Sequence, residues 1–328
     1  MISIHDNGRC RLCASEGGHK HLTAREMMFG TREAFDYFEC SACGTVQITE
    51  TPPSDLLARH YPPDYYSFEG SFQGYDGRLK NFLLKRRDWS ALGRTTLAGS
   101  LMIRIRPAGG TVRLFQQIRI RWNHRILDVG CGSGMLLDQL AYLEFPHLLG
   151  ADPYVTADLV TPHGAEVRKQ YVSDLAGVFD VVMFHHSLEH VPDPLNTLRS
   201  ARSLLAPGGL CLVRIPTCSS EAFALYGPDW VQLDAPRHIV VPSREGMLVA
   251  AERTGFIVER VIDDSFSLQF WGSEQYKKGI PLFRDPRSYA VNGNSIAPDE
   301  MSALDRRAEE LNGLHRGDQA AFILRAYA

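Results

Sequence analysis

Seven consecutive residues, Asp128-Val129-Gly130-Cys131-Gly132-Ser133-Gly134, follow the apolar pair Ile126-Leu127, and a further acid, Asp152, stands 22 positions after Gly130. Alternate glycines let a backbone turn sharply and approach a ligand with no Cβ in the way. The residues that follow, Met135-Leu136-Leu137-Asp138-Gln139-Leu140, open a helix. The first N–H groups of a helix lack intrahelical acceptors and point at whatever the turn holds. A carboxylate closing the next strand can accept from both hydroxyls of a ribose. This is chemistry for an adenosine-containing cofactor. A dinucleotide would want G-x-G-x-x-G, but the third position after Gly132 is Met135.

A second set of residues can move protons. His185, His186, Glu189 and His190 follow the apolar run Phe179-Asp180-Val181-Val182-Met183-Phe184, and His238 stands beside Arg237 in Trp230-Val231-Gln232-Leu233-Asp234-Ala235-Pro236-Arg237-His238. Imidazole titrates near neutral pH, which suits a general base. His238 is the first candidate for that role, and His190 and His186 are further catalytic candidates. The competing reading has His238 orienting a loop while alignment alone drives the reaction. His186, Glu189 and His190, at i, i+3 and i+4, would share one face of a helical turn. With His238 they offer a ligand set for a divalent ion.

Elements that position these residues are legible around them. Ile126–Val129 and 179–184 read as strands buried on both faces. Leu204-Leu205-Ala206-Pro207-Gly208-Gly209 reads as a helix end and turn before a strand at 210–215. Phe256-Ile257-Val258-Glu259-Arg260-Val261 and the terminal 320–327 read as strands, and 303–317 as a surface helix.

The D-x-G-x-G-x-G run resembles motif I of the class I methyltransferases that use S-adenosylmethionine. Leu188-Glu189-His190-Val191-Pro192-Asp193-Pro194 and the L-x-P-G-G turn resemble further marks of that superfamily, over residues 120 to 328. The resemblance implies a Rossmann-like, seven-stranded doubly wound α/β sheet whose last strand is antiparallel. It implies that Gly130, Gly132 and Gly134 admit the methionine part of the cofactor, with Cys131, Ser133 and Pro153 in the same turns. Asp152 would hold the ribose, and Asp128 the glycine turn or the amino group. Asp174 is a candidate for the adenine amino group, and His185 lies close to the cofactor. The His186/Glu189/His190/His238 set is similar to the E-x-x-E-H plus distant histidine of metal-dependent O-methyltransferases, with His186 in place of the first carboxylate.

Cys10-x-x-Cys13 and Cys40-x-x-Cys43 form two knuckles 26 residues apart, the second followed by Gly44. Two-residue spacing lets each sulfur pair approach one tetrahedral ion. Four thiolates close such a site, so a structural Zn²⁺ is expected, holding a small ribbon that has little core of its own. After Thr51-Pro52-Pro53 comes His60-Tyr61-Pro62-Pro63-Asp64-Tyr65-Tyr66. This phrase resembles one in bacterial methyltransferases that carry a zinc module and are associated with surface polysaccharides. There it lies across the cofactor or substrate mouth, which makes Tyr65 and Tyr66 candidates for that position. Leu233-Asp234-Ala235-Pro236-Arg237-His238 and Gln269-Phe270-Trp271-Gly272-Ser273-Glu274-Gln275-Tyr276 resemble the same group. In the latter, Gln269, Glu274 and Tyr276 could bond sugar hydroxyls, although a folded-in apolar segment explains the same residues.

From 78 to 125 there are twelve Lys or Arg and one acid, a local balance of +11 in a chain whose net charge is −3. Such asymmetry points to an anionic membrane surface, a phosphate-rich substrate or nucleic acid, or a solvated cover over an acidic body. No apolar run reaches eighteen residues, and Met1-Ile2-Ser3-Ile4-His5-Asp6 is no secretion signal. A cytoplasmic protein is expected, peripheral at the inner membrane face if the basic stretch meets lipid, with its seven cysteines as thiols or metal ligands.

The sequence thus predicts a zinc-binding ribbon at 1–52, a linker and basic helical segment at 53–120, and a methyltransferase domain at 121–328. The expected reaction is methylation of a hydroxyl on a sugar, nucleotide sugar, lipid-linked glycan or other polysaccharide precursor. The alternatives are an RNA methyltransferase and a non-catalytic binder of S-adenosylmethionine.

Overall fold

The structure is a computed structural model that describes residues 8–62 and 72–327, so Tyr65 and Tyr66 lie outside the described residues. In chain order its strands are β1 (Lys20–Arg25), β2 (Ala34–Glu39), β3 (Val46–Ile48), β4 (Ile126–Val129), β5 (Leu148–Ala151), β6 (Leu159–Val160), β7 (Glu166–Arg168), β8 (Phe179–His185), β9 (Leu205–Pro216), β10 (Val240–Val241), β11 (Phe256–Asp263) and β12 (Gln319–Ala326). Its α-helices are α1 (Ser54–Ala58), α2 (Arg78–Ala91), α3 (Leu97–Ile105), α4 (Gly110–Gln117), α5 (Met135–Tyr142), α6 (Pro194–Ser203), α7 (Glu221–Tyr226), α8 (Arg244–Arg253), α9 (Leu268–Lys277) and α10 (Pro298–Gly313).

Eight strands follow the order β11-β12-β9-β8-β4-β5-β7-β6. β4 runs parallel to β5 and β8, and β5 parallel to β7. β12 runs antiparallel to β11. A mostly parallel centre with helices between its strands is the α/β arrangement that the apolar runs imply. The strand beyond the expected seven is β6, two residues paired antiparallel to β7, too short to leave an alternation in the sequence. The turn expected before 210 is instead part of β9, which starts at Leu205. Gly208 there has φ +74°, a value glycine adopts without strain, so the chain bends without ending the strand.

Contacts divide the chain into two compact units, one of Met1–Pro62, His186–Arg199 and Val213–Ala328, the other of Pro63–His185 and Ser200–Leu212.

In the second unit all four residues of β4 are buried, as are Val181, Val182, Met183 and Phe184 of β8. Here α2 and α3 approach so closely that a Cβ on Gly99 would fall 2.1 Å from the Arg86 carbonyl oxygen. Asp138, buried in the first turn of α5, accepts from the backbone N–H groups of Phe72 (2.9 Å) and His163 (2.8 Å).

The first unit contains a four-stranded sheet, β1-β2-β3-β10. Three of its strands come from the cysteine-bearing segment. The fourth, β10, pairs Val240 with Gln47 and Val241 with Val46, which brings the chain just after His238 onto the ribbon. Neither the short β10 nor β1 is evident in the sequence pattern.

Candidate active site

In the second unit the glycine turn is a backbone device. Gly130, Gly132 and Gly134 have φ of +73°, +55° and +80°, the left-handed region that side chains with a Cβ resist. The Gly130 N–H donates to the Ala151 carbonyl at 2.7 Å, tying the end of β4 to β5. Space is as restrictive as conformation. A Cβ on Gly134 would meet Val167 Cγ2 at 2.8 Å, and one on Gly150 would meet Cys131 Sγ at 2.5 Å. Cys131 therefore turns its thiol down onto β5, and burial pushes that thiol well above its usual range. Its backbone is what it offers a ligand.

Asp152 follows β5 and accepts from the N–H of Gly132 at 2.9 Å and of Tyr154 at 2.8 Å. One bond reaches into the glycine turn and the other closes the Asp152-Pro153-Tyr154 corner, so the carboxylate is fixed in orientation. Asp128 is buried, and its Oδ1 has no hydrogen-bond partner among the described residues. Burial, and then the Asp152 charge, push its carboxyl well above the usual range. A buried acceptor without a donor is costly unless a ligand supplies one. That orphan, with the left-handed glycines and the fixed Asp152, fits the ammonium and ribose ends of S-adenosylmethionine. His185 ends β8, the strand beside β4. Asp174 is exposed in a short turn of 3₁₀ helix, where it accepts from Ser173 Oγ at 3.1 Å.

The histidines meet in the first unit. His186 has φ +56°, so it precedes the 3₁₀ turn Leu188–His190 rather than sharing a regular helical turn with it. Arg214 Nη1 lies 2.7 Å from His186 Nε2. A guanidinium only donates, so Nε2 is the acceptor and the proton sits on Nδ1. Burial and the Arg214 charge hold this imidazole well below its usual range. Arg214 itself donates through Nε to Asp264 at 2.6 Å. The His186 lone pair is thereby engaged, which leaves it less available for a substrate proton than the other two rings.

His190 Nδ1 lies 2.9 Å from the Arg237 carbonyl and His238 Nδ1 lies 2.8 Å from the Gln232 carbonyl. A carbonyl only accepts, so both rings carry a proton on Nδ1, and in the neutral form of each ring Nε2 is the basic nitrogen. The rings meet edge to face with centroids 4.8 Å apart. Burial, and then His238, lower the titration of His190. Glu189 is fully buried, and neither of its carboxylate oxygens has a hydrogen-bond partner among the described residues. Its Oε1 is 4.0 Å from His238 Nε2 and 3.5 Å from His186 Nδ1, and Asp234 Oδ2 is 3.8 Å from His238 Nε2. Glu189, His190 and His238 each offer one ligand atom within 4.8 Å of the others.

What fixes this cluster comes from residues far away in the chain. Arg237, fully buried, donates to Asp234 at 2.6 and 3.0 Å, to Glu26 at 2.9 Å and to the His60 carbonyl at 3.0 Å. Burial works to raise the Asp234 carboxyl, and the Arg237 guanidinium outweighs it, holding Asp234 below the usual range. Tyr37, from β2, donates its hydroxyl to the His238 carbonyl at 2.9 Å. Glu26 and Tyr37 lie some 200 residues from His238 in the chain, and only folding brings them together. On α9, Phe270 and Tyr276 are buried. Gln269 Oε1 and the Tyr276 hydroxyl have no hydrogen-bond partner among the described residues.

The four ribbon cysteines converge. Cys10 Sγ is 3.6 Å from Cys43 Sγ and Cys13 Sγ is 3.5 Å from Cys40 Sγ, with all four sulfurs within 4.8 Å of one another. A tetrahedron with Zn–S of about 2.3 Å has edges of about 3.8 Å, so the donor set fits a closed zinc site. The knuckles are pinned beside it, with the Gly44 N–H on the Cys40 carbonyl at 2.8 Å and the Ala14 N–H on the Cys10 carbonyl at 2.9 Å.

The fold and the glycine turn define a methyltransferase class, and comparison with known proteins agrees. A family model described as a methyltransferase domain matches residues 97–261. The chain belongs to that family of class I, S-adenosylmethionine-dependent methyltransferase domains. It is 35% identical over 111 residues to a ubiquinone biosynthesis O-methyltransferase of Caulobacter sp. (strain K31), covering 31% of this chain and 44% of that protein. It is 40% identical over 119 residues to the protein of that name from Xanthomonas campestris pv. campestris (strain B100), covering 31% and 46%. The chain therefore spans about half the length of the curated relatives it matches. A solved S-adenosylmethionine-dependent methyltransferase from Archaeoglobus fulgidus aligns over 71% of this chain and 100% of its own, with 16% identity and a TM-score of 0.40. Among the described residues no helix is long and apolar enough to cross a membrane.

Proposed function

We propose that this chain transfers a methyl group from S-adenosylmethionine to a hydroxyl of a sugar or polysaccharide precursor, and that its four ribbon cysteines hold a structural Zn²⁺. The donor, when bound, supplies an electrophilic methyl on a sulfonium. Gly130, Gly132 and Gly134 admit it, Asp152 accepts from its ribose and Asp128 from its ammonium. His238 takes the acceptor's proton at Nε2. The observation that carries this role is the His238 ring itself, anchored through Nδ1 on the Gln232 carbonyl and flanked at Nε2 by Glu189 and Asp234. An imidazolium formed there lies beside two carboxylates, the arrangement that sustains a general base.

O-methylation is supported by the names of the curated relatives. The sugar acceptor is supported by the L-D-x-P-R-H and Q-F-W phrases and by polar atoms on Glu189, Gln269 and Tyr276 that have no partner among the described residues, which suit a ligand rich in hydroxyls. The deciding experiment is a labelled-methyl transfer screen against nucleotide sugars, glycolipids, phenols and RNA. Transfer to a sugar hydroxyl that is lost in His238→Ala supports the reading. Transfer confined to RNA or to phenols overturns the acceptor.

A second reading has Glu189, His190 and His238 holding a divalent transition metal. One observation favours it. Each of the three offers a ligand atom within 4.8 Å of the others, the Glu189 oxygens have no hydrogen-bond partner among the described residues, and both imidazoles are oriented by Nδ1 bonds to carbonyls, as metal-bound histidines commonly are. Activity that survives strong chelation, with zinc confirmed in the ribbon, excludes it.

A further inference from the structure

We propose that the paired helices α2 and α3 form a docking surface for an anionic lipid bilayer. The helix α3 is amphipathic in the wrong sense for a buried element. Leu97, Leu101 and Ile105, at i, i+4 and i+8, are 95%, 60% and 69% exposed, so they form one apolar stripe on the solvent side. Gly99, opposite that stripe, is the residue pressed against α2. On α2, Leu79 and Phe82 are likewise exposed, at 72% and 48%. An apolar stripe that no element covers among the described residues is uncommon on a folded surface and marks an interaction site.

The charges name the partner. Arg78, Lys80, Arg104, Arg106 and Arg113 are exposed around these helices, and none has an ion-pair partner among the described residues. The one acid between 78 and 125, Asp88, is buried and bridged to Arg87 at 2.8 Å. The surface therefore offers cations and aliphatic side chains together. Nucleic acid would be met by cations with free aromatic stacking platforms, whereas the exposed ring of this surface, Phe82, already lies against the Arg86 guanidinium, 3.5 Å from its centroid. Leucine and isoleucine beside arginine match an interfacial helix, whose apolar residues enter the acyl boundary while its arginines meet anionic headgroups. This inference is independent of the acceptor and of the proton-transfer roles above.

The test is co-sedimentation of the purified, zinc-loaded full chain with phosphatidylcholine vesicles, with and without phosphatidylglycerol. The wild-type chain pellets with the anionic vesicles at low salt and is released as salt rises. Leu97→Gln/Leu101→Gln/Ile105→Gln stays in the supernatant. Arg104→Gln/Arg106→Gln lowers the vesicle affinity by about fivefold per arginine. Both variants keep the wild-type melting temperature and affinity for S-adenosylhomocysteine, because the changed side chains face solvent. Wild-type protein left in the supernatant with anionic vesicles at low salt overturns the proposal. So does a triple variant that pellets like the wild type. Tight binding of a short RNA that is insensitive to the leucine changes, with no vesicle binding, overturns it in favour of nucleic acid.

Discussion

The glycine turn and the histidine cluster are built by opposite means. The turn is local, nine residues of a strand and bend plus one acid 22 positions on, and it is made of backbone dihedrals and of space too small for a Cβ. The cluster is assembled from distant segments of the chain, around 26, 37, 60, 186–190, 214 and 234–238, and it is made of side chains held by one another's hydrogen bonds. A local backbone device can be read in a sequence because adjacent residues make it. A cluster of long-range ion pairs cannot, because each member looks ordinary until its partners are known.

If the division of labour is right, substitutions in the two regions separate cleanly. His238→Ala gives the largest effect, a loss of kcat of about 10²–10⁴-fold with affinity for S-adenosylhomocysteine unchanged. Steady-state kinetics with calorimetry measures both, and a parallel loss of cofactor affinity would erase the distinction. Arg237→Met comes next. It leaves the Asp234 and Glu26 carboxylates buried without their cation, which costs about 3–5 kcal/mol of stability, seen in chemical denaturation. A shift below about 1 kcal/mol would mean that Arg237 does not organise the cluster. Gly134→Val forces a branched side chain into φ +80° and against Val167. Strain of about 1–3 kcal/mol then weakens cofactor binding by about 5–100-fold. Tyr37→Phe is the smallest change. Removing the hydroxyl from the His238 carbonyl costs about 1 kcal/mol, or about fivefold in kcat. Cofactor affinity should stay as it is, and an unchanged kcat would limit the ribbon to a scaffold.

The same contrast explains what could be read beforehand. Asp128, the three glycines, Asp152 and the Cys-x-x-Cys pairs were evident from spacing, since a turn or a tetrahedral ion imposes that spacing on neighbours in the chain. The parallel centre was evident from the apolar runs of β4 and β8. Two-residue strands were not, so the β3–β10 pairing that joins the ribbon to the His238 segment appears only in three dimensions. The i, i+4 relation of His186 to His190 predicts a shared helical face. The left-handed backbone at His186 and the bond from Arg214 give it different surroundings, and an arginine inside a strand carries no sequence signal for that. Arg237 stands beside His238 in the chain, yet nothing in the sequence shows that it is fully buried between two acids.

The central claim is that the glycine turn holds S-adenosylmethionine with Asp152 gripping the ribose. Isothermal calorimetry of the zinc-loaded chain with S-adenosylhomocysteine tests it most directly. The account predicts saturable binding at one site per chain, weakened about 10–100-fold by Asp152→Ala, the loss expected when hydrogen bonds to a charged group disappear. No binding by the wild-type chain, or equal binding by Asp152→Ala, contradicts it.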